Sequence, residues 1–138
     1  MAQTLLLIGS GVFLILGIGH GVLITRDLWK PRAFTPTDDA VREAMAGVSI
    51  VLSAQANQWK AWQGFNLSHS LGLMVFGGGL LWMAIVEPDL FFSNWLFQVV
   101  VIVIALLYFI FSKVFWFWGP LVASGAGSVC FILAALLS

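Results

Sequence analysis

The segment WKAWQGFNLSHS, residues 59–70, brings two tryptophans together with a cluster of amide, hydroxyl and imidazole groups. It leads into an uncharged apolar run, residues 65–86, which is followed by Glu87, Pro88 and Asp89. A helix rises about 1.5 Å per residue and the hydrocarbon core of a bilayer is about 30 Å thick, so a run of this length can cross it. The sequence therefore predicts a transmembrane helix with a polar cluster at one end.

The composition of the whole chain is typical of a membrane protein. Of its 138 residues, 61% are hydrophobic and 9% are charged, whereas a soluble domain carries about 25% charged residues. The formal net charge is zero and no basic run is present, which excludes nucleic-acid binding as a function. Cys130, the single cysteine, lies in an apolar run, which predicts a small buried side chain rather than a disulfide partner.

Three further apolar runs have spanning length, namely residues 4–24, 92–111 and 114–137. The first lacks the basic residues that precede the apolar part of a cleaved signal peptide, so we expect it to be retained as a helix. Together with residues 65–86, these runs predict an all-α integral membrane protein, a single domain of four transmembrane helices.

Residues 36–55 predict a fifth helix of a different kind. Thr35 and Pro36 have the pattern of a helix N-cap followed by proline at the first helical position, and apolar residues then recur at helical spacing. The apolar part is too short to span, so we expect a cytoplasmic-side amphipathic helix that packs on the spans or lies in the headgroup plane. The alternative is one long helix over residues 36–86, bent at Gly64.

The basic residues indicate an orientation. With four spans, the connections after the first and third spans share one side, and these connections contain Arg26, Lys30, Arg32, Arg42, Lys60 and Lys113. The opposite side carries only Glu87 and Asp89. By the positive-inside rule the basic side is cytoplasmic, which predicts a bacterial inner-membrane protein with its N- and C-termini on the periplasmic side.

The two histidines fall at similar predicted depths, His20 near the end of the first span and His69 near the start of the second. The polar and aromatic residues around them in the sequence are Thr25, Asp27, Trp62, Gln63, Asn66 and Ser68. An ionisable residue within a span is a functional-site hypothesis by default, but an imidazole near the interface is also satisfied by water, a carbonyl or an amide. We favour a structural polar cluster over a ligand site, with no catalytic residue and no metal site.

A ligand site at His20 and His69 remains the alternative. Two imidazoles on facing helices suit axial ligation of haem, although the chain lacks the second histidine pair of two-haem transmembrane cytochromes, and we favour haem less than the structural role. Even with Asp27, the imidazoles leave a tetrahedral metal site one ligand short. A groove between glycine-rich helices suits a quinone, sterol, carotenoid or phospholipid. Because nothing supplies the electrophilic side of a reaction, the sequence leans away from an enzyme.

The runs PRAFTPTDDAVREAM and AWQGFNLSHSLG, together with the histidine of GIGHG at residues 17–21, resemble an uncharacterised group of small four-span bacterial membrane proteins that carry a GFNxSHS-type segment. The resemblance covers most of the chain. It implies residence in a bacterial membrane and the four-span topology. It implies no activity and assigns no role to either histidine.

The sequence predicts a non-catalytic membrane component that self-associates or joins a larger membrane complex as an accessory subunit. Four spans in 138 residues leave little mass outside the membrane, so helix faces and membrane lipids supply the main contacts. Small residues recur at the four-residue spacing that lets helices approach closely, in the pairs Gly17 with Gly21 and Ser124 with Ser128. The alternative function is a binding protein or enzyme for a lipophilic ligand at the two histidines.

Overall fold

A computed structural model describes residues 1–138 and contains six helices and one two-stranded sheet. The elements in chain order are α1 (Ala2–Asp27), α2 (Asp39–Gly47), β1 (Ser49–Ile50), β2 (Ser53–Asn57), α3 (Gln58–Val86), α4 (Asp89–Phe92), α5 (Trp95–Phe115) and α6 (Trp118–Leu136). The chain forms two compact units, residues 1–17 with 73–138, and residues 18–72. The long helices α1 and α3 each contribute residues to both units.

Four of the helices, α1, α3, α5 and α6, are long and apolar enough to cross a membrane. This confirms the prediction of four long apolar helices, although their ends differ from the predicted ones. Helix α5 begins after residue 92 because Asn94 caps it, its Oδ1 accepting a hydrogen bond of 3.1 Å from the Phe97 N–H. It also continues past the turn expected at Ser112 and Lys113. Pro120 fits the first turn of α6, where an N–H has no intrahelical partner.

The prediction of a helix over residues 36–55 is wrong in its extent. Helix α2 ends at Gly47, and Val48 is already extended. An antiparallel hairpin follows, with Ser49 opposite Asn57. The β-branched Val48 and Ile50 suit extended backbone, and the two short strands are a small addition to a mostly helical fold.

The predicted N-cap is also displaced, and the alternative of one bent helix is wrong. Asp38 caps α2, with its Oδ1 2.9 Å from the Ala40 N–H, whereas Thr35 lies in the preceding loop. Residues 36–86 contain two helices separated by the hairpin, and Gly64 lies inside α3. Asn57 caps that helix, since its Oδ1 accepts a hydrogen bond of 2.9 Å from the Lys60 N–H.

Aromatic packing centres the unit formed by residues 1–17 and 73–138. The fully buried Phe13 stacks on Phe131 with ring centroids 5.8 Å apart, and meets Phe76 edge-on at 5.1 Å. Tyr108 of α5 approaches the same ring at 5.8 Å. Phe13 thus contacts one aromatic side chain from each of the other three long helices, and such pairs add about 0.5 to 1.5 kcal/mol beyond area burial.

Small residues let the helices of this unit approach one another. A Cβ at Gly77 would lie 2.8 Å from the Leu14 Cα, so α3 contacts the backbone of α1 directly. Ser124 and Ser128 of α6 are buried, and their hydroxyls donate hydrogen bonds of 2.7 Å to the carbonyls of Pro120 and Ser124. The serine pair therefore packs within the chain, with its hydroxyls satisfied by its own helix.

Candidate functional site: the histidine cluster

The predicted polar cluster lies within the unit formed by residues 18–72, where the end of α1, the loop of residues 28–38 and the start of α3 meet. His20 and His69 contact each other edge to face, with ring centroids 5.4 Å apart and an interplanar angle of 72°. The structure therefore brings together the two histidines that are separated by 48 residues of sequence.

Two phenylalanines extend the histidine pair into a row of four rings. Phe34 packs on His20 with centroids 4.6 Å apart, and Phe65 stacks on His69 at 6.3 Å and 17°. Phe34 comes from the loop and Phe65 from α3. We call this set, Phe34, His20, His69 and Phe65, the aromatic row. Each imidazole of the aromatic row packs against the other imidazole and against one phenylalanine ring, so both histidines take part in packing.

Asn66 is the fully buried amide of the cluster. Its Nδ2 donates a hydrogen bond of 2.8 Å to the Trp62 carbonyl one turn earlier in α3. The His20 imidazole lies beside this amide. A buried amide without polar contacts costs free energy; the bond to the Trp62 carbonyl satisfies the Nδ2 donor, whereas the buried Oδ1 accepts no hydrogen bond within the chain.

Asp27 holds the loop that carries Phe34. The carboxylate is only 3% exposed, and its oxygens accept hydrogen bonds from the Ala33 N–H at 3.0 Å, the Phe34 N–H at 2.6 Å and the Thr35 hydroxyl at 3.3 Å. Backbone donors compensate a buried carboxylate well, because hydrogen bonds to a charged acceptor are the strong ones. The side chain of Asp27 thus folds the loop back onto the end of α1.

Trp62 fixes the same loop from the side of α3. Its Nε1–H donates a hydrogen bond of 2.9 Å to the Phe34 carbonyl. Phe34 is therefore held three times, by its N–H on Asp27, by its carbonyl on Trp62 and by its ring on His20. Phe34 was not among the residues predicted for the cluster. The available signal was a single aromatic residue between Pro31 and Pro36.

Three predicted members lie at the edge of the cluster or outside it. Ser68 is exposed, and its hydroxyl donates to the Phe65 carbonyl of its own helix at 2.9 Å. Thr25 and Gln63 are half-buried, and neither side chain forms a hydrogen bond with the histidines or Asp27. The connected residues are therefore His20, Asp27, Trp62, Asn66 and His69, joined by Phe34 and Phe65.

The side chains of the histidine cluster make their contacts with one another. Nowhere in the chain are three or more His, Cys, Asp or Glu side chains placed to hold one metal ion. A macrocycle between His20 and His69 would have to separate imidazoles that now touch, because each metal–nitrogen bond is about 2 Å long.

Comparison with known proteins adds no assignment. No protein-family model, no curated protein and no solved structure matches the chain. The proposed function therefore rests on the geometry of the cluster and on the exposure of the helices.

Proposed function

We propose that this protein is a non-catalytic integral membrane protein that serves as a small self-associating or accessory subunit of a membrane complex. The observation that carries the proposal is the outer face of α5. The exposed apolar side chains along that face include Val99, Val100, Val103, Leu106, Leu107 and Ile110. An apolar surface of this extent is rare on a soluble monomer, and hydrocarbon or another apolar helix covers it in a membrane protein.

The proposed setting is a bacterial inner membrane with both termini periplasmic. Arg26 lies in the last turn of α1, Lys30 and Arg32 follow that helix closely, and Lys113 lies in the last turn of α5, which agrees with a cytoplasmic side at these helix ends. Helix α2 and the hairpin belong to that side as well. The hairpin tip, Val51 and Leu52, is fully exposed, and apolar side chains of this kind suit the headgroup region.

Association through helix faces is supported by the glycines that intrachain packing does not use. A Cβ at Gly11, Gly19 or Gly79 would meet no atom within 4 Å. In lipid, helices associate by close dispersion packing, which glycine permits because its backbone is uncovered. These three positions are where a neighbouring helix, from a second copy or from a partner, can approach most closely.

The test of association is the oligomeric state of the purified protein in mild detergent and in lipid nanodiscs. We expect a dimer or larger assembly, or copurification with a partner, and we expect Gly11→Leu with Gly79→Leu to abolish it. The matched control is Ile15→Leu with Val75→Leu, at exposed positions of the same two helices. A strictly monomeric protein that copurifies with nothing in either medium contradicts the proposal.

A second candidate function is binding of a lipophilic molecule at the cluster, and the position of Phe65 favours it. Phe65 is 61% exposed and stacks on His69, so a quinone or another amphiphile with a planar head has an apolar approach to the imidazole from outside. A lipid extract and a visible absorption spectrum of the purified protein test this. A bound molecule that is lost in His69→Ala and kept in Ser68→Ala supports the second function. Identical extracts and spectra for both variants and the wild type exclude His69 as its ligand.

A further inference from the structure

A cleft of about 450 Å³ opens beside the C-terminal end of α1 and the loop that follows it. Its walls are formed by Leu23, Arg26, Asp27, Lys30, Arg32 and Ala33. Its volume falls in the range of small-molecule sites, about 300 to 1,000 Å³. The cleft lies outside the aromatic row and shares only Asp27 with the histidine cluster.

The cations of the cleft have no partner within the protein. Arg26, Lys30 and Arg32 are exposed and form no ion pair, since the only ion pair of the chain joins Arg42 to Asp39. Three cations against the single Asp27 carboxylate leave the cleft with a net charge of two positive units. The Asp27 oxygens accept three hydrogen bonds from the loop, and that carboxylate forms no ion pair with the arginines.

The negative end of the α1 dipole does not cancel this charge either. The carbonyl of Arg26 accepts hydrogen bonds from the Trp29 N–H at 3.2 Å and the Lys30 N–H at 2.9 Å, and the Thr25 carbonyl accepts one from the Leu28 N–H at 3.2 Å. These last carbonyls are therefore occupied by the chain itself. The polar surface of the cleft is dominated by side-chain donors.

One wall of the cleft is apolar. Leu23 is 45% exposed and continues an exposed strip of α1 with Val22. Trp29, in the loop beside the cleft, is 78% exposed, and tryptophan is enriched at the depth of lipid headgroups. The cations suit an anionic headgroup, and the apolar wall beside them suits acyl chains. The cleft therefore matches a lipid better than it matches a free anion.

We propose that this cleft binds the phosphodiester headgroup of an anionic phospholipid, with the acyl chains lying along Leu23 and Val22 of α1. The inference rests on the proposed membrane insertion. Arg26 and Arg32 donate hydrogen bonds to the phosphate oxygens, which guanidinium groups bind in a bidentate manner, and Lys30 adds a third charge. The lipid occupies the cleft, and the single negative charge of its phosphodiester offsets one of the two excess positive charges.

The test is lipid retention by the full-length protein in native mass spectrometry, after exchange into equimolar phosphatidylglycerol and phosphatidylcholine. Wild type is expected to retain phosphatidylglycerol preferentially. A basic residue near a membrane surface contributes enough attraction that each removed cation lowers retention about fivefold. The triple variant Arg26→Gln, Lys30→Gln, Arg32→Gln should therefore lose the preference, and Arg32→Gln alone, in the loop outside any helix, should weaken it.

The matched control is the triple variant Arg42→Gln, Lys60→Gln, Lys113→Gln, which removes the other three cations of the chain and the same net charge. It should keep the preference within about twofold, because these residues lie outside the cleft. Equal loss in both triple variants shows a general charge effect and overturns the proposal. Displacement of phosphatidylglycerol by millimolar inorganic phosphate shows a free-anion site and overturns it as well.

Alkaline carbonate extraction separates this inference from the proposed function. A wild-type chain that stays in the membrane fraction but shows no lipid preference removes the lipid site and leaves the proposed function standing. A chain released by carbonate is not integral, and both proposals then fail.

Discussion

The indole Nε1–H of Trp62 donates a hydrogen bond of 2.9 Å to the backbone carbonyl of Phe34, 28 residues earlier in the chain. This bond joins the first turns of α3 to the loop that follows α1. Together with the hydrogen bonds from that loop to Asp27, it makes Phe34 a second connection between the two helix ends, beside the direct contact of His20 with His69.

Trp62→Phe removes this hydrogen bond and keeps an aromatic ring at the position. We expect a loss of about 1 to 2 kcal/mol in the free energy of unfolding, because the half-buried Phe34 carbonyl loses its donor. Unfolding in mixed detergent micelles, followed by circular dichroism, measures it. Trp59→Phe is the control, since the Trp59 indole donates no hydrogen bond within the chain. Equal losses in the two variants would show that indole volume matters rather than the bond.

Asp27→Asn removes the charge that orders the loop and leaves one acceptor oxygen in place of two. Hydrogen bonds to a charged group contribute about 1.5 to 3 kcal/mol, so we expect the loop to open more often by about tenfold or more. Trypsin cleavage after Arg32 reports the opening, because the next residue, Ala33, donates its N–H to Asp27. Glu43→Gln, in α2, is the control for loss of one negative charge. Cleavage at the wild-type rate in Asp27→Asn contradicts the assigned role.

Gly77→Ala and Gly79→Ala are expected to act in opposite directions. A methyl group at Gly77 would collide with the backbone of Leu14, which cannot move as a side-chain tip can, and overpacking of this kind costs about 1 to 3 kcal/mol. A methyl group at Gly79 meets open space, and alanine favours a helix over glycine by about 1 kcal/mol. Thermal unfolding of the protein held monomeric by excess detergent should therefore rank Gly79→Ala at or above wild type and Gly77→Ala below it. Similar melting temperatures for the two variants would show that α1 and α3 do not meet at Gly77.

The proposed topology predicts which positions an impermeant maleimide reaches in intact cells whose outer membrane has been permeabilised. In a Cys130→Ser background, a cysteine at Gln3 or Ser138 should be labelled, and a cysteine at Lys30 should be labelled only after the inner membrane is also disrupted. The physical basis is the excess of basic residues at the ends of α1 and α5. Labelling of Lys30→Cys while the inner membrane is intact, without labelling of Gln3→Cys, would show the opposite orientation. Labelling of both cysteines from the same side would show that the first helix does not cross the membrane.

The part of the fold that was predictable is the part decided by local sequence. Apolar runs of spanning length identified the four long helices, because length and hydropathy are properties of each segment alone. The hairpin of residues 49–57 was missed, since its apolar residues continue the helical spacing of α2. The hydrogen bond that closes it, from the Gln58 N–H to the Val48 carbonyl at 3.0 Å, joins residues whose pairing no periodicity indicates.

The cluster was partly predictable for the same reason. Similar predicted depth in two spans made His20 and His69 candidates for one shared cluster, and in the structure their rings are in contact. The place of Phe34 was not predictable, because it depends on how the Asp27 carboxylate folds the loop. Ser68, one residue before His69, is exposed because adjacent residues point about 100° apart around the axis of a helix. Which of the two faces the cluster depends on how α3 is rotated about its axis.

The sequence by itself thus determined that the chain has four long apolar helices, six cations near particular helix ends and two histidines at similar depth. Only the tertiary structure decided that Gly77 packs inside while Gly79 stays open, that Phe34 joins α1 to α3, and that Arg26, Lys30 and Arg32 line one cleft. The physical reason is that the hydropathy and the charge of a segment depend only on the residues of that segment. Helix rotation and loop closure, in contrast, are set by contacts between distant segments, where one residue of displacement turns a side chain to another face.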